Sequence, residues 1–153
     1  MNLEPYEKEL EKLNACIWDY AELKFQEVRS AGAMEDLLEQ HGFRVTRGLA
    51  HMPTAFVAEY GSGKPVIAIL GEYDALSGLS QEDGVWEEKP REENPNGHGC
   101  GHCLLGTAAV GAGAPAEGLS GSPSGPGHHP GLWLSGGRRG QRQDLHDPGR
   151  GLC

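Results

Sequence analysis

Pro65-Val66-Ile67-Ala68-Ile69-Leu70-Gly71-Glu72-Tyr73-Asp74 is the stretch that decides the fold class. Its apolar run carries no charge, follows a Gly-rich turn and stops abruptly at Glu72 and Asp74. A short continuous apolar run bounded in this way predicts a strand buried on both faces, as in a sheet covered by helices. Open α/β sheets bind ligands beyond the carboxyl ends of their strands. Two carboxylates one residue apart at that end could face a metal ion or orient one of its ligands. Taken alone they are more simply an exposed strand end, because carboxylates are common at surfaces.

The flanks extend the same pattern. Leu10, Leu13, Ile17 and Trp18 fall at helical spacing, which predicts an amphipathic helix over residues 5–20. Ser30 is placed to cap a second helix through Leu38, with Gly42 as its stop and Ala33, Leu37 and Leu38 toward the core. Phe43-Arg44-Val45-Thr46 and Thr54–Tyr60 alternate like strands, and Gly61-Ser62-Gly63-Lys64 reads as the turn between the second of these and the next strand. Residues 79–97 are polar and read as an exposed loop, its acidic 82–93 part as solvated surface. A helix is expected from near Leu104, with the small residues Gly106 to Ala112 packing closely on the sheet. Helix, helix, strand, strand, strand, loop, helix is the front of an α/β domain with a central sheet. No internal repeat is visible.

Composition narrows the function. A chain of 153 residues suggests one domain. A net charge of −9 argues against nucleic acid and against docking on an anionic membrane. No apolar run approaches the roughly 18 residues of a membrane span. Met1-Asn2-Leu3-Glu4-Pro5-Tyr6-Glu7 has neither the basic end nor the apolar core of a secretory signal, so a cytoplasmic location is expected. The four cysteines then read as metal or redox chemistry and not as a disulfide framework. The chain changes character near Gly113. Residues 1–112 hold nearly all the acidic groups and the periodic segments, and are expected to form a partial catalytic domain. Residues 113–153 are roughly two-fifths Gly plus Pro, and such a tail is expected to be disordered because it buries too little apolar surface.

The densest chemistry is Asn96-Gly97-His98-Gly99-Cys100-Gly101-His102-Cys103. Thiolate and imidazole are preferred ligands of zinc and similar ions, and the interleaved glycines let the backbone bend so that donors converge. Three readings compete. The string is a Gly-rich loop with incidental His and Cys; or Cys100 and Cys103 form a Cys-x-x-Cys site, redox or structural zinc; or Cys100 and His102 are ligands of a hydrolytic metal centre with Asp74 nearby. Structural zinc would want a second ligand pair, which the isolated Cys16 and Cys153 do not supply.

Gly71-Glu72-Tyr73-Asp74-Ala75-Leu76 and His98-Gly99-Cys100-Gly101-His102, followed by Leu104-Leu105-Gly106-Thr107-Ala108-Ala109, resemble the amidohydrolase branch of the aminoacylase and carboxypeptidase G family of metallopeptidases. The resemblance extends over about residues 5–112 and includes Gly42–Arg47, Gly63–Ala68 and Leu79-Ser80-Gln81. It implies an aminopeptidase-like zinc-hydrolase domain. The implied reaction is amide hydrolysis at two divalent ions, zinc or manganese, acting on a small amide or dipeptide-like substrate such as p-aminobenzoyl-glutamate. The implied parent is oligomeric, with a second related subunit as one form of the assembly. By the same resemblance Cys100 and His102 are metal ligands and Asp74 is the acidic residue behind the metal. Glu72 stands where other branches carry a His ligand. Cys103 departs from the pattern, replacing Asn or Asp, and adds either a stray ligand or a redox-sensitive thiol. Glu72, His98 and Cys103 are thus further candidates.

Hydrolysis of this kind needs a carboxylate base that takes a proton from the attacking water and passes it to the leaving amine. The resemblance implies that the base is the first Glu of a Glu-Glu pair beyond the Cys-Gly-His string. Residues 113–153 hold no such pair, since Glu117 is isolated there. Read one base later, however, Leu132–Gly140 permits Tyr-Gly-Cys-Pro-Ala, then Glu-Glu if Arg138 and Arg139 use AGA or AGG codons, then Gly-Gly. Pro126-Gly127-His128-His129, read the same way into Pro130, permits Pro-Gly-Thr-Ile. A one-base frame change near Gly113 is therefore expected to have produced the tail. The chain as written is expected to lack hydrolase activity and, with an unpaired strand edge, to be poorly stable.

Overall fold

A computed structural model of the chain describes residues 4–61 and 66–113, together with the backbone of residues 129–134. Helix α1 spans Glu7–Tyr20 after a 3-10 turn at Glu4–Tyr6. Leu13 and Ile17, one turn apart, are buried, and Leu10 and Trp18 lean on the core from the same stripe. Ala21 ends the helix in the left-handed region with φ 39°, its N–H donating to the Ile17 carbonyl at 3.1 Å.

Helix α2 spans Val28–Gln40 and begins earlier than the Ser30 signal predicts. Its first turn is satisfied from a distance. The Glu22 carboxylate accepts the Arg29 N–H at 3.1 Å, the Ser30 N–H at 2.8 Å and the Ser30 hydroxyl at 2.8 Å. An anion at a helix start satisfies orphan donors and complements the helix dipole, so Ser30 is a capped residue and not the cap. The stop falls where expected: Gly42 has φ 78° and the Phe43 N–H returns to the Leu38 carbonyl at 3.0 Å.

The sheet is mixed. Strands β1 (Arg44–Arg47), β2 (Phe56–Glu59), β3 (Val66–Gly71) and β6 (His129–Leu134) lie in the order β1-β2-β6-β3. β2 pairs antiparallel with β1 and with β6, whereas β3 runs parallel to β6 with Gly71 opposite Leu134. The sequence pattern thus places β2 and β3 correctly as strands but not as neighbours, since β6 lies between them. Strand β6 comes from the stretch expected to be disordered. The rest of that tail, and the predicted turn at residues 62–65, lie outside the described residues. Two short strands, β4 (Leu76–Ser77) and β5 (Asn96–Gly97), pair antiparallel and close the base of the polar loop between them.

Helix α3 spans His102–Gly113 and packs against α1 and β3. Gly106 permits the approach: a Cβ there would lie 3.1 Å from Tyr73 Cβ and 3.2 Å from the Glu72 carbonyl. The core between helices and sheet includes Leu13, Ile17, Met34, Leu38, Phe56, Tyr73 and Val110. One expectation for β3 fails. Val66, Ile67 and Leu70 are 65%, 49% and 38% exposed, so the strand is not buried on both faces. It pairs on one side only within the sheet, and the described helices cover it incompletely. Among the described residues no helix is long and apolar enough to cross a membrane.

Candidate metal centre

The carboxyl end of β3 and the start of α3 meet at one corner. Glu72, Tyr73 and Asp74 follow directly on the strand, and His102 opens the helix. His102 Nδ1 stands 2.6 Å from Asp74 Oδ1, and its Nε2 stands 3.3 Å from Glu72 Oε2. Asp74 is almost wholly buried and Glu72 nearly so. The buried Asp74 carboxylate at Nδ1 fixes the plane of the ring and leaves Nε2 facing Glu72.

The loop before α3 is shaped by close approach. Gly97 admits no side chain, since a Cβ would fall 1.9 Å from the Leu79 carbonyl oxygen, and Gly101 turns the chain with φ 82°. His98 is buried beside Trp18, their ring centroids 6.3 Å apart, and its Nε2 lies 3.0 Å from the Ile17 carbonyl. Its Nδ1 has no hydrogen-bond partner among the described residues. Burial holds the His98 imidazole below its ordinary pKa, against the pull of the Ile17 carbonyl. Cys100 is exposed, whereas Cys103 is buried in the first turn of α3, and burial pushes its thiol above the usual range. A thiol held protonated is a poor nucleophile and a poor ligand.

These placements test the fit of a divalent ion. Two donors on one tetrahedral ion with bonds of about 2.0–2.1 Å stand about 3.3–3.4 Å apart. His102 Nε2 and Glu72 Oε2, at 3.3 Å, match that separation, with Asp74 in the orienting position behind the ring. The orphaned Nδ1 of His98 is a further buried lone pair nearby, coupled electrostatically to His102 and Asp74. Among the described residues, though, no three His, Cys, Asp or Glu side chains converge on a common point. The donor set fits part of a metal shell. Of the residues singled out from sequence, Glu72, Asp74 and His102 come together; Cys100, Cys103 and His98 flank them without joining a common cluster.

Two solved structures share the fold. One is the YXEP protein of Bacillus subtilis, a dinuclear metal binding peptidase from the M20 family, with TM-score 0.60 and 20% identity, covering 84% of this chain and 35% of that one. The other, from methicillin resistant Staphylococcus aureus and provisionally named an aminohydrolase, gives TM-score 0.66 and 19% identity over 86% of this chain and 32% of its own. In sequence, 96 residues are 54% identical to one of the subunits of p-aminobenzoyl-glutamate hydrolase from Escherichia coli strain K12. The match takes in 63% of this chain and 20% of that relative, so the chain spans about a fifth of the relative's length. No family model matches the chain.

Within this M20-like fold one acidic residue escaped the sequence reading. Glu27 is fully buried, and burial raises its carboxyl above the ordinary value, with the Asp74 charge adding to the rise. Nothing in Phe25-Gln26-Glu27-Val28 distinguishes it from a solvated helix-start carboxylate. Only its buried side-chain partner, Thr54, does, and it lies 27 residues away in sequence.

Proposed function

We propose that residues 1–112 form part of the catalytic domain of a metal-dependent amidohydrolase, and that the parent reaction releases an amino acid from an amide, with p-aminobenzoyl-glutamate as the substrate. The observation that carries this reading is the Asp74–His102–Glu72 arrangement at the carboxyl end of β3, with donors 2.6 and 3.3 Å apart. The name of the Escherichia coli relative supports the substrate. A divalent ion, zinc or manganese, would be held in part by His102 and Glu72 and would supply Lewis acidity to the amide carbonyl; the Cys100 ligand role implied by the sequence would need the exposed thiol to move toward them. Asp74 keeps the His102 ring in one tautomer and one orientation.

The general base is absent from the chain as written. Strand β6 supports a frame change as the reason. It runs parallel to β3 with Leu134 opposite Gly71, so its carboxyl end lies at the same sheet end as that of β3, where Glu72 and Asp74 follow. The Glu-Glu pair permitted in the shifted frame falls only a few residues past Leu134. The 153-residue chain is accordingly proposed to be inactive, its tail out of frame, and its parent oligomeric.

Two measurements test this. Sequencing the coding DNA across the codons for Ala109 to Arg139 is expected to reveal one base gained or lost relative to an independent read. Restoring that frame is expected to give metal-dependent release of glutamate, whereas turnover by the 153-residue chain itself would contradict the proposed inactivity. A non-enzymatic zinc or redox module at Cys100 and Cys103 is the rival reading. Cys103→Asn separates the two: the rival loses its site, while the hydrolase site binds metal at least as well.

A further inference from the structure

The corner that holds His102 is tied to the loop between α1 and α2 through Thr54, and Glu27 of that loop also takes a local hydrogen bond. The Thr54 hydroxyl donates to Glu27 Oε2 at 2.8 Å, and the Phe25 N–H donates to Glu27 Oε1 at 2.9 Å. The Tyr73 hydroxyl donates to the Thr54 carbonyl. Beside these, the Ala75 N–H donates to the Glu22 carbonyl at 2.8 Å, and Leu23 bridges Ala75 in parallel register. Glu27, Thr54 and Tyr73 are all almost or wholly buried. Phe25 is held at φ 67°, a left-handed conformation that L-residues with a Cβ adopt at a cost. Such strain persists only where the surroundings over-determine it, and here the Glu27 carboxylate takes the Phe25 N–H.

Tyr73 sits between the two carboxylates that bracket His102. Successive side chains along an extended segment point to opposite sides. Pinning Tyr73 on one side therefore fixes Glu72 and Asp74 on the other. Its ring packs against Phe56 at 6.3 Å between centroids, and its Cβ faces Gly106 of α3. The hydroxyl is the only polar point on that side chain, and it ends on the residue that Glu27 holds.

We propose that Glu27 is a positioning residue, acting through Thr54 and Tyr73 to set the Glu72–Asp74 pair and with it the orientation of the His102 ring. Its importance for catalysis rests on the metal reading of that corner. The positioning itself does not, because the hydrogen bonds run within the chain. Nothing in the sequence around Glu27 marks the role, since Thr54, its side-chain partner, stands 27 residues downstream and Tyr73, which bonds Thr54 in turn, stands 46 downstream.

The test reads the imidazole directly. In the metal-free 153-residue chain labelled with 15N-histidine, at a pH where His102 is neutral, the wild type should show a single Nδ1–H tautomer. Glu27→Ala should give a mixture of tautomers, and Glu27→Gln, which keeps both hydrogen-bonding arms, should restore the single form. Zinc affinity should fall about 10–100-fold in Glu27→Ala, the usual effect of removing an outer-shell support, and stay within a few-fold of wild type in Glu27→Gln. If Glu27→Ala does not fold, Tyr73→Phe removes the same linkage while keeping the ring and should shift the tautomer likewise. An unchanged His102 tautomer in the folded variants overturns the proposal. A tautomer that shifts in a chain binding no zinc upholds the positioning and counts against the metal reading.

Discussion

Helix α3 offers a paired test of how the site corner is packed. Replacing an interior helix Gly by Ala gains about 1 kcal/mol of helix propensity wherever the added methyl fits. At Gly111 the atoms nearest the methyl all belong to the Leu10 side chain, at 2.9 Å for Cδ1 and 3.5 Å for Cδ2. That side chain is only partly buried and can turn aside, so most of the gain survives. At Gly106 it would meet Met34 Cε at 3.1 Å, Tyr73 Cβ at 3.1 Å and the Glu72 carbonyl oxygen at 3.2 Å. Met34 can give way, but the other two belong to the backbone and first side-chain carbon of the strand end. Carbon contacts are best at about 3.5–4.0 Å, and overpacking a tight core costs about 1–3 kcal/mol. The balance is a net loss of about 1–2 kcal/mol for Gly106→Ala and a gain of up to about 1 kcal/mol for Gly111→Ala. For a domain of this size each kcal/mol moves Tm by about 4–8 °C. Thermal melts of the two variants should therefore shift in opposite directions. If Gly106→Ala melts at or above wild type, α3 does not approach β3 as closely as described, and the placement of His102 against Asp74 loses its support.

Further outcomes follow from the same geometry. Burial raises the Glu27 carboxyl, so the folded chain holds its proton above the pH at which the unfolded chain releases it. Its contribution is then full below the unfolded value of about 4.3 and is lost as pH rises through the raised folded value. Urea melts should show Glu27→Gln gaining on wild type as pH rises, and parallel curves would contradict the burial argument. Asp74→Asn removes the charge-assisted acceptor at 2.6 Å and should lower zinc affinity about 10–100-fold by calorimetry. Ile67→Lys, on an exposed apolar strand at the sheet's edge, should reduce aggregation measured by light scattering. Trp86 is fully exposed, so Trp86→Ala should leave stability within about 0.5 kcal/mol of wild type.

Local signals were legible where the determining partners are near in sequence. Leu13 and Ile17 announce the buried stripe of α1, Gly42 the end of α2, and the run ending at Gly71 the strand whose carboxyl end holds the acidic pair. His102 stood out as a candidate because His and Cys crowd together around it, and the fold sets it against Asp74 and Glu72. Signals failed where partners are remote. Ser30 resembles a cap, yet the capping oxygens come from Glu22, eight residues earlier in a different turn. Strand β6 reads His-Pro-Gly-Leu-Trp-Leu, with a Pro, a Gly and no alternation, so neither its existence nor its place between β2 and β3 shows in the residues themselves. Glu27 is a carboxylate in a polar stretch, and only Thr54, brought in by the fold, reveals that it is buried.

Zinc uptake by the folded 153-residue chain tests the central claim most directly. Equilibrium dialysis followed by metal analysis should find zinc bound by the wild type, lost in His102→Ala, and retained in Cys103→Asn. A wild type that binds none, or a His102→Ala variant that keeps its metal, would contradict the assignment of this corner as part of an amidohydrolase metal centre.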